Sequence, residues 1–189
     1  MDFKNYLEKS WNLTLQYIAP LILLTLVMFG LIFLTLGILA PVAMAGYTQS
    51  ILLMLRDGRE PKLQDLFSQM NLFLPLLGFS VVVFIATAVG FILLFIPGIL
   101  VLLGVYFTCI YMLPLMTDQK LGLIDAVKES YSMSMKGPIA DHVVMIIIFL
   151  GIVMIGSSVF IGALFTQPLS TIFLLLIYED KIKQVPKNV

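Results

Sequence analysis

Charge is what this sequence has least of. Asp, Glu, Lys and Arg make up 12% of its 189 residues, where a soluble domain carries roughly 25%. Three runs hold none of them: Ser10 to Leu55, Leu66 to Thr117 and, with His142 neutral, His142 to Tyr178. They measure 46, 52 and 37 residues. A soluble fold cannot hide runs of that length, so the solvent for most of the chain is lipid. Cysteine is down to Cys109, which excludes an internal disulfide. Histidine is down to His142, with no second His and no Glu at ligand spacing, so neither a metal nor a cofactor is expected. The zero net charge gives no basic surface for nucleic acid. The first residues, Met1 to Trp11, lack an apolar core after a basic start and a small-x-small site, so the first span itself is expected to target the chain.

What is present is apolar sequence in hairpin lengths. About 20 apolar residues cross a bilayer core, so each run reads as a helical hairpin. The expected fold is all-α and polytopic: six transmembrane helices in three hairpins, one membrane domain over residues 1–189. The middle run is clearest, with Pro97-Gly98 as its turn. The first span is expected near 13–39, kinked at Pro20. Residues 41–55 give a short second helix of about 22 Å that must lean on neighbours. The third span runs near 76–95 and the fourth to Met116. The fifth starts near Asp141 and continues to about Ile161. The sixth ends at Tyr178-Glu179-Asp180, before a basic tail from Lys181 to Val189.

A short amphipathic helix is expected before each hairpin. Phe3, Tyr6, Leu7 and Trp11 line the first; Leu63, Leu66, Phe67 and Met70 the second; Leu123, Ile124, Val127 and Tyr131 the third. Such faces suit the headgroup layer. The units 1–57, 61–118 and 122–180 then read as a threefold internal repeat. Leu7-Glu8-Lys9-Ser10-Trp11 resembles Val127-Lys128-Glu129-Ser130-Tyr131. Pro41, Pro97 and Pro168 stand between paired spans, and Asp57, Asp118 and Asp180 close the units. Two crossings per unit make the copies parallel. All 11 Lys and Arg fall on one side of this topology, which places both termini in the cytoplasm of a multi-pass protein of the cytoplasmic membrane.

Candidate chemistry is sparse. No charge falls near mid-membrane, which argues against a proton-coupled pump. Tyr47, Thr48 and Gln49 with Tyr106, Thr108 and Tyr111 are candidates for a polar cavity, against a plainer reading as interhelical hydrogen bonds. Asp141-His142 is a candidate interfacial acid–base pair, against a helix cap beside an interfacial histidine. Ser10 and Ser130 lack a base partner and read as backbone-bonding serines. The glycines lack the strand and Lys of a phosphate loop and serve turning and close packing. Membrane lipids are the expected partners, with a membrane-protein partner or a second copy beside them.

The pattern of Ser10-Trp11, Pro41…Ala45-Gly46, Arg56-x-Gly58-x-x-Pro61-x-x-x-Asp65-Leu66-Phe67, Gly90-x-x-Leu93-x-x-Ile96-Pro97-Gly98, Ala126-x-x-x-Ser130-Tyr131 and Pro168…Tyr178 resembles the bacterial YciC-like group. That group is related to the membrane domain of some glycerophosphodiester phosphodiesterases. The resemblance spans nearly the whole chain; Tyr131 departs from it, standing where many members have Trp. It implies a six-helix integral membrane protein of largely unknown function. It transfers no catalytic residue, because the phosphodiesterase chemistry sits on a separate soluble barrel without counterpart in this sequence. The expected function is a non-enzymatic membrane module that handles lipids or amphipathic molecules, or scaffolds a partner. The alternatives are a substrate-binding subunit of a transport system and a membrane-embedded enzyme acting on lipid.

Overall fold

Apolar runs in lipid must bond their own backbone, and helix is how a single segment does so. The computed structural model describes residues 1–93, 95–157 and 160–184. They form α1 (Phe3–Gln16), α2 (Ile18–Leu34), α3 (Ala40–Asp57), two 3-10 turns (Leu63–Phe67 and Met70–Leu72), α4 (Phe73–Leu93), α5 (Phe95–Cys109), α6 (Met112–Asp118), α7 (Leu123–Met135), α8 (Ile139–Ser157) and α9 (Phe160–Gln184). No strand occurs among the described residues. Helices α2 and α3, α4 and α5, and α8 and α9 pack as neighbours, and α1 lies along α9.

Four helical runs are long and apolar enough to cross a membrane: Leu63–Leu93, Phe95–Asp118, Ile139–Gly156 and Ile161–Lys183. The pair α1 and α2, bent by 87°, makes a fifth if it is one broken span. Six were expected. The bend falls at Tyr17, so Pro20 lies in the first turn of α2, where its missing N–H costs no bond. Helix α3 has the length of a span but carries Tyr47, Thr48, Gln49 and Ser50 in its middle. It is instead a largely enclosed helix, burying ten residues from Val42 to Met54.

Three expectations change. The second amphipathic stretch is a pair of 3-10 turns, because Asp65 accepts from the Lys62 N–H at 3.1 Å and ties the chain locally. Of its apolar residues, Leu66 is buried and Phe67 exposed. Pro168 does not mark the last turn but lies inside α9. There the Ser170 and Thr171 hydroxyls donate to the Gln167 carbonyl, as hydroxyls near a membrane proline often do. The sixth helix does not stop at Asp180 but runs to Gln184, which makes Lys181 part of the bundle. Helix α8 ends at Ser157, while positions 158–159, expected in the fifth span, and Lys187 and Val189 of the tail lie outside the described residues.

The quoted motifs turn out to be joints. Gly58 caps α3 in the left-handed region at φ +63°, which glycine adopts without strain. Asp65 then accepts from Ser50 at 2.6 Å and Arg59 at 2.7 Å, fastening this loop onto α3. Gly46 lets it close: a Cβ there would sit 2.5 Å from the carbonyls of Asp65 and Leu66. At the other end of the molecule, a Cβ on Gly90 would meet the Gly98 backbone at 2.9 Å. That contact draws α4 and α5 together.

Candidate functional site

The fourth span is broken, and the break organises the chemistry. Helix α5 ends at Cys109 and α6 starts at Met112. Interrupting the ladder frees carbonyls and amides that must find other partners. Ser134 Oγ donates to Phe107 O at 2.9 Å and Ser130 Oγ donates to Thr108 O at 2.6 Å. Ser130 Oγ also accepts from the Tyr111 N–H at 3.2 Å, and His142 Nε2 lies 3.0 Å from Phe107 O. Helices α7 and α8 therefore clamp the break through three polar side chains.

The inner faces of α1 and α7 follow from this packing. On α7 the buried row is Ala126, Ser130, Met133 and Ser134, while Ile124 and Tyr131 are exposed and Val127 is half-buried. On α1 the buried residues are Ser10 and Thr14, with Phe3, Tyr6 and Leu7 half-buried and Trp11 exposed. Small hydroxyl residues face the bundle because they permit close helix approach and hydrogen bonding. Trp11 still touches α9, edge to face with Phe165 at 5.3 Å between ring centres.

Tyr111, at the break, is fully buried and stands in an aromatic and charged cluster. Tyr178 stacks with it at 6.4 Å, and the His142 ring lies 5.8 Å away. Lys181 Nζ sits 5.2 Å above its ring and donates to Met133 O at 2.6 Å. Tyr178 Oη donates toward Asp118 at 3.0 Å. Asp118 in turn accepts from Arg56, whose Nη2 lies 2.9 Å away, and Arg56 Nε reaches Glu179 at 2.7 Å. Asp118 first of all raises the guanidinium pKa of Arg56, against burial, so its charge is secure. One arginine at the end of α3 thus ties the ends of α6 and α9.

Beside this cluster a cavity of about 360 Å³ opens where the start of α1, the end of α7, the start of α8 and the end of α9 meet. Tyr6, Lys136, Asp141, Asp180 and Lys181 line it, with apolar Met133 and Ile177. Both acids are engaged: Tyr6 Oη donates to Asp180, and the Met1 amine pairs with Asp141 at 2.9 Å. A second cavity of about 530 Å³ lies further along α1, between Leu7 and Trp11, Ile152 of α8 and Leu169 of α9; Glu8 and Asn12 also line it. A third, of about 400 Å³, is polar and lined by Gln49, Ser68, Gln69, Asn71, Thr117 and Lys120 among others.

The six residues expected in one polar cavity go to different places. Tyr47 is buried against Thr25, with their hydroxyls 2.9 Å apart. Thr48 and Thr108 bond backward to the carbonyls of Met44 and Gly104. Gln49 lines the third cavity, Tyr106 is exposed and Tyr111 enters the aromatic cluster. Asp141 and His142 face apart, one to the charged cavity and one to the core. No group of three His, Cys, Asp or Glu gathers for a metal among the described residues. Lys181, Arg56 and Tyr178 were not picked out from sequence. A signal existed for Lys181, which follows the buried Ile177 and Tyr178 by four and three residues on one helical face. The chain matches no family model, no curated protein and no solved structure.

Proposed function

We propose that this chain is a non-enzymatic membrane module that holds an amphipathic lipid between α1 and the α8–α9 hairpin at the cytoplasmic side. The observation that carries this reading is the order of cavities along α1. A charged cavity at its start is followed by a largely apolar one at Leu7 and Trp11, both walled by α8 and α9. That order fits a molecule with a polar head and an apolar body. The finer topology belongs to the same proposal: six crossings in three hairpins, both termini cytoplasmic, in the cytoplasmic membrane of a bacterium of the kind that carries YciC-like proteins. The gathering of Arg56, Asp118, Glu179, Asp141 and Lys181 at one end supports the orientation. The threefold repeat draws support from the inner rows of α1 and α7, where Ser10 and Thr14 correspond to Ser130 and Ser134. Native mass spectrometry after release from nanodiscs of the source membrane's own lipids tests the function. A retained lipid is the expected result. Release of bare protein, or of protein carrying only another polypeptide, overturns it in favour of a scaffold.

A second reading has its own observation. The buried Gln49 Oε1 lacks a hydrogen-bond partner and belongs to a residue lining the polar third cavity. A small polar solute would supply the missing donor, as in a substrate-binding subunit of a transport system. A saturable thermal shift with a water-soluble compound, lost in Gln49→Leu, marks that outcome. The enzyme reading has no such support, since Asp141 and His142 face apart.

A further inference from the structure

We infer that the charged cavity is a phosphate site for the headgroup of a membrane phospholipid, with Lys181 as its charge partner; this rests on the lipid-binding reading above. The Lys181 ammonium has no salt-bridge partner among the described residues. Lys181 is 8% exposed and lines the cavity wall. Its ammonium donates to Met133 O and lies over the Tyr111 ring. A buried charge that is not fully compensated is costly to hold. Asp141 favours the charged form of Lys181 through space, but both acids of the cavity already have other partners. Asp141 holds the Met1 amine and Asp180 accepts from Tyr6.

Three further features favour an anion with a phosphate's geometry. Lys136 lines the same cavity, so a second ammonium is within reach of a bound anion. Its own partner, Glu129, is at 3.4 Å and both are exposed, a weak pairing. The first turn of α8 opens on the cavity through Pro138 and Asp141. The dipole of a helix start favours negative charge, although the Asp141 N–H itself donates to Pro138 O at 3.0 Å. Gly137, at φ +91°, makes the turn that brings this helix start next to the end of α7.

The lipid is favoured over a free phosphate compound by what surrounds the cations. Met133, Ile177 and Tyr6 give the cavity an apolar wall, and the second cavity continues along α1 toward Trp11 and Leu169. A soluble phosphate ester would leave that second space unused, whereas an acyl chain fills it.

The test uses the full chain purified in detergent and three probes. Dioleoyl phosphatidylglycerol carries phosphate and chains, dioleoylglycerol carries the chains alone, and glycerol 3-phosphate carries the phosphate alone. Wild type is expected to gain thermal stability, saturably, with the phospholipid only. Lys181→Met is expected to fold, because it removes a buried charge that is not fully compensated, and to bind the phospholipid about tenfold or more weakly, the scale of a hydrogen bond to a charged group. Lys183→Met, on an exposed position of the same helix, leaves the response unchanged. An undiminished response in Lys181→Met overturns the assignment. An equal response of wild type to dioleoylglycerol also overturns it while leaving lipid binding in place, and needs no variant to fold. A response to glycerol 3-phosphate alone moves the site to a soluble phosphate compound. No response to any probe removes the phosphate site; native mass spectrometry then decides separately whether lipid binding stands.

Discussion

The α4–α5 and α8–α9 hairpins are both apolar enough to cross a bilayer, yet α9 is used in the opposite way to α4 and α5. Along its 21 residues α4 buries only Leu76 and Gly90, and α5 buries only Gly98. Val82, Phe84, Ile85, Ile92 and Leu93 of α4 all face outward. Helix α9 instead buries an almost continuous face from Leu169 through Leu175, then Ile177, Tyr178 and Lys181. The α9 run is the least hydrophobic of these spans. Helix α9 carries Gln167, Ser170, Thr171, Tyr178 and a charged end, and α3, the other enclosed helix, carries Tyr47 to Ser50. In lipid no hydrophobic force drives one helix onto another, so helices with small and polar side chains pack inside and purely apolar ones face the acyl chains. The interior is still mostly apolar, but the helices that reach it are those that also carry small and polar side chains.

Substitutions graded by site should break this comparison or sharpen it. The largest effect is expected at Gly156→Val. A Cβ at Gly156 would fall 1.6 Å from Thr166 Oγ1, so the α8–α9 contact must open, costing about 3 kcal/mol or more by overpacking. Gly104→Val in α5, where nothing lies within 4 Å of the added Cβ, should shift the melting temperature in detergent little. Equal losses at the two glycines would end the claim that the hairpins differ. Next comes truncation of large side chains. Leu175→Ala removes a fully buried residue and should cost about 2–4 kcal/mol. Ile85→Ala, on the lipid face at 55% exposure, should cost under about 0.5 kcal/mol. Unfolding titrations of both variants measure this; a large loss at Ile85 would mean that a protein surface, not lipid, covers α4. Among the buried sites the smallest effect is expected at Ser130→Ala, which orphans the Thr108 carbonyl and the Tyr111 N–H. About 1 kcal/mol is expected, since membrane hydrogen bonds average less than their soluble counterparts suggest. Hydrogen exchange localised to residues 108–112 would register it even where the melting temperature barely moves.

Legibility from sequence divides along the same line. Pro97-Gly98 did not mark the turn itself, since both residues lie in the first turn of α5; the start of α3 was readable from Pro41, because proline acts on its own backbone. The backbone-bonding role of Ser10 was readable for the same reason, and its hydroxyl donates to Tyr6 O at 2.6 Å. Pro168 misled, since a proline is tolerated inside a membrane helix when the neighbouring structure re-satisfies the freed backbone groups. The stripes on α1 and α7 were read as apolar faces set in the headgroup layer. Trp11 and Tyr131 do face out, but the serines that face in, where neighbouring helices approach closely, were not read as the packing row. The polar residues of α3 and α5 looked like one cavity because no periodicity reveals which neighbour a residue meets. Lys181 was read as tail, although its spacing from Ile177 and Tyr178 placed it on the inner face of a helix that simply continues.

Composition and the lengths of the uncharged runs determined by themselves that the chain is helical and belongs in a membrane. Those properties follow from residue-by-residue transfer energies and from the need of each segment to bond its own backbone, and both are local. Tertiary structure alone decided the rest. It turned α3 into an enclosed helix, joined Arg56 to Asp118 and Glu179, and set the buried ammonium of Lys181 in the wall of a cavity. Arg56 lies 62 residues from Asp118 and 123 from Glu179. Contacts at that range depend on how whole helices pack, and packing in lipid is set by shape and hydrogen bonding between distant segments, which no local pattern in the chain encodes.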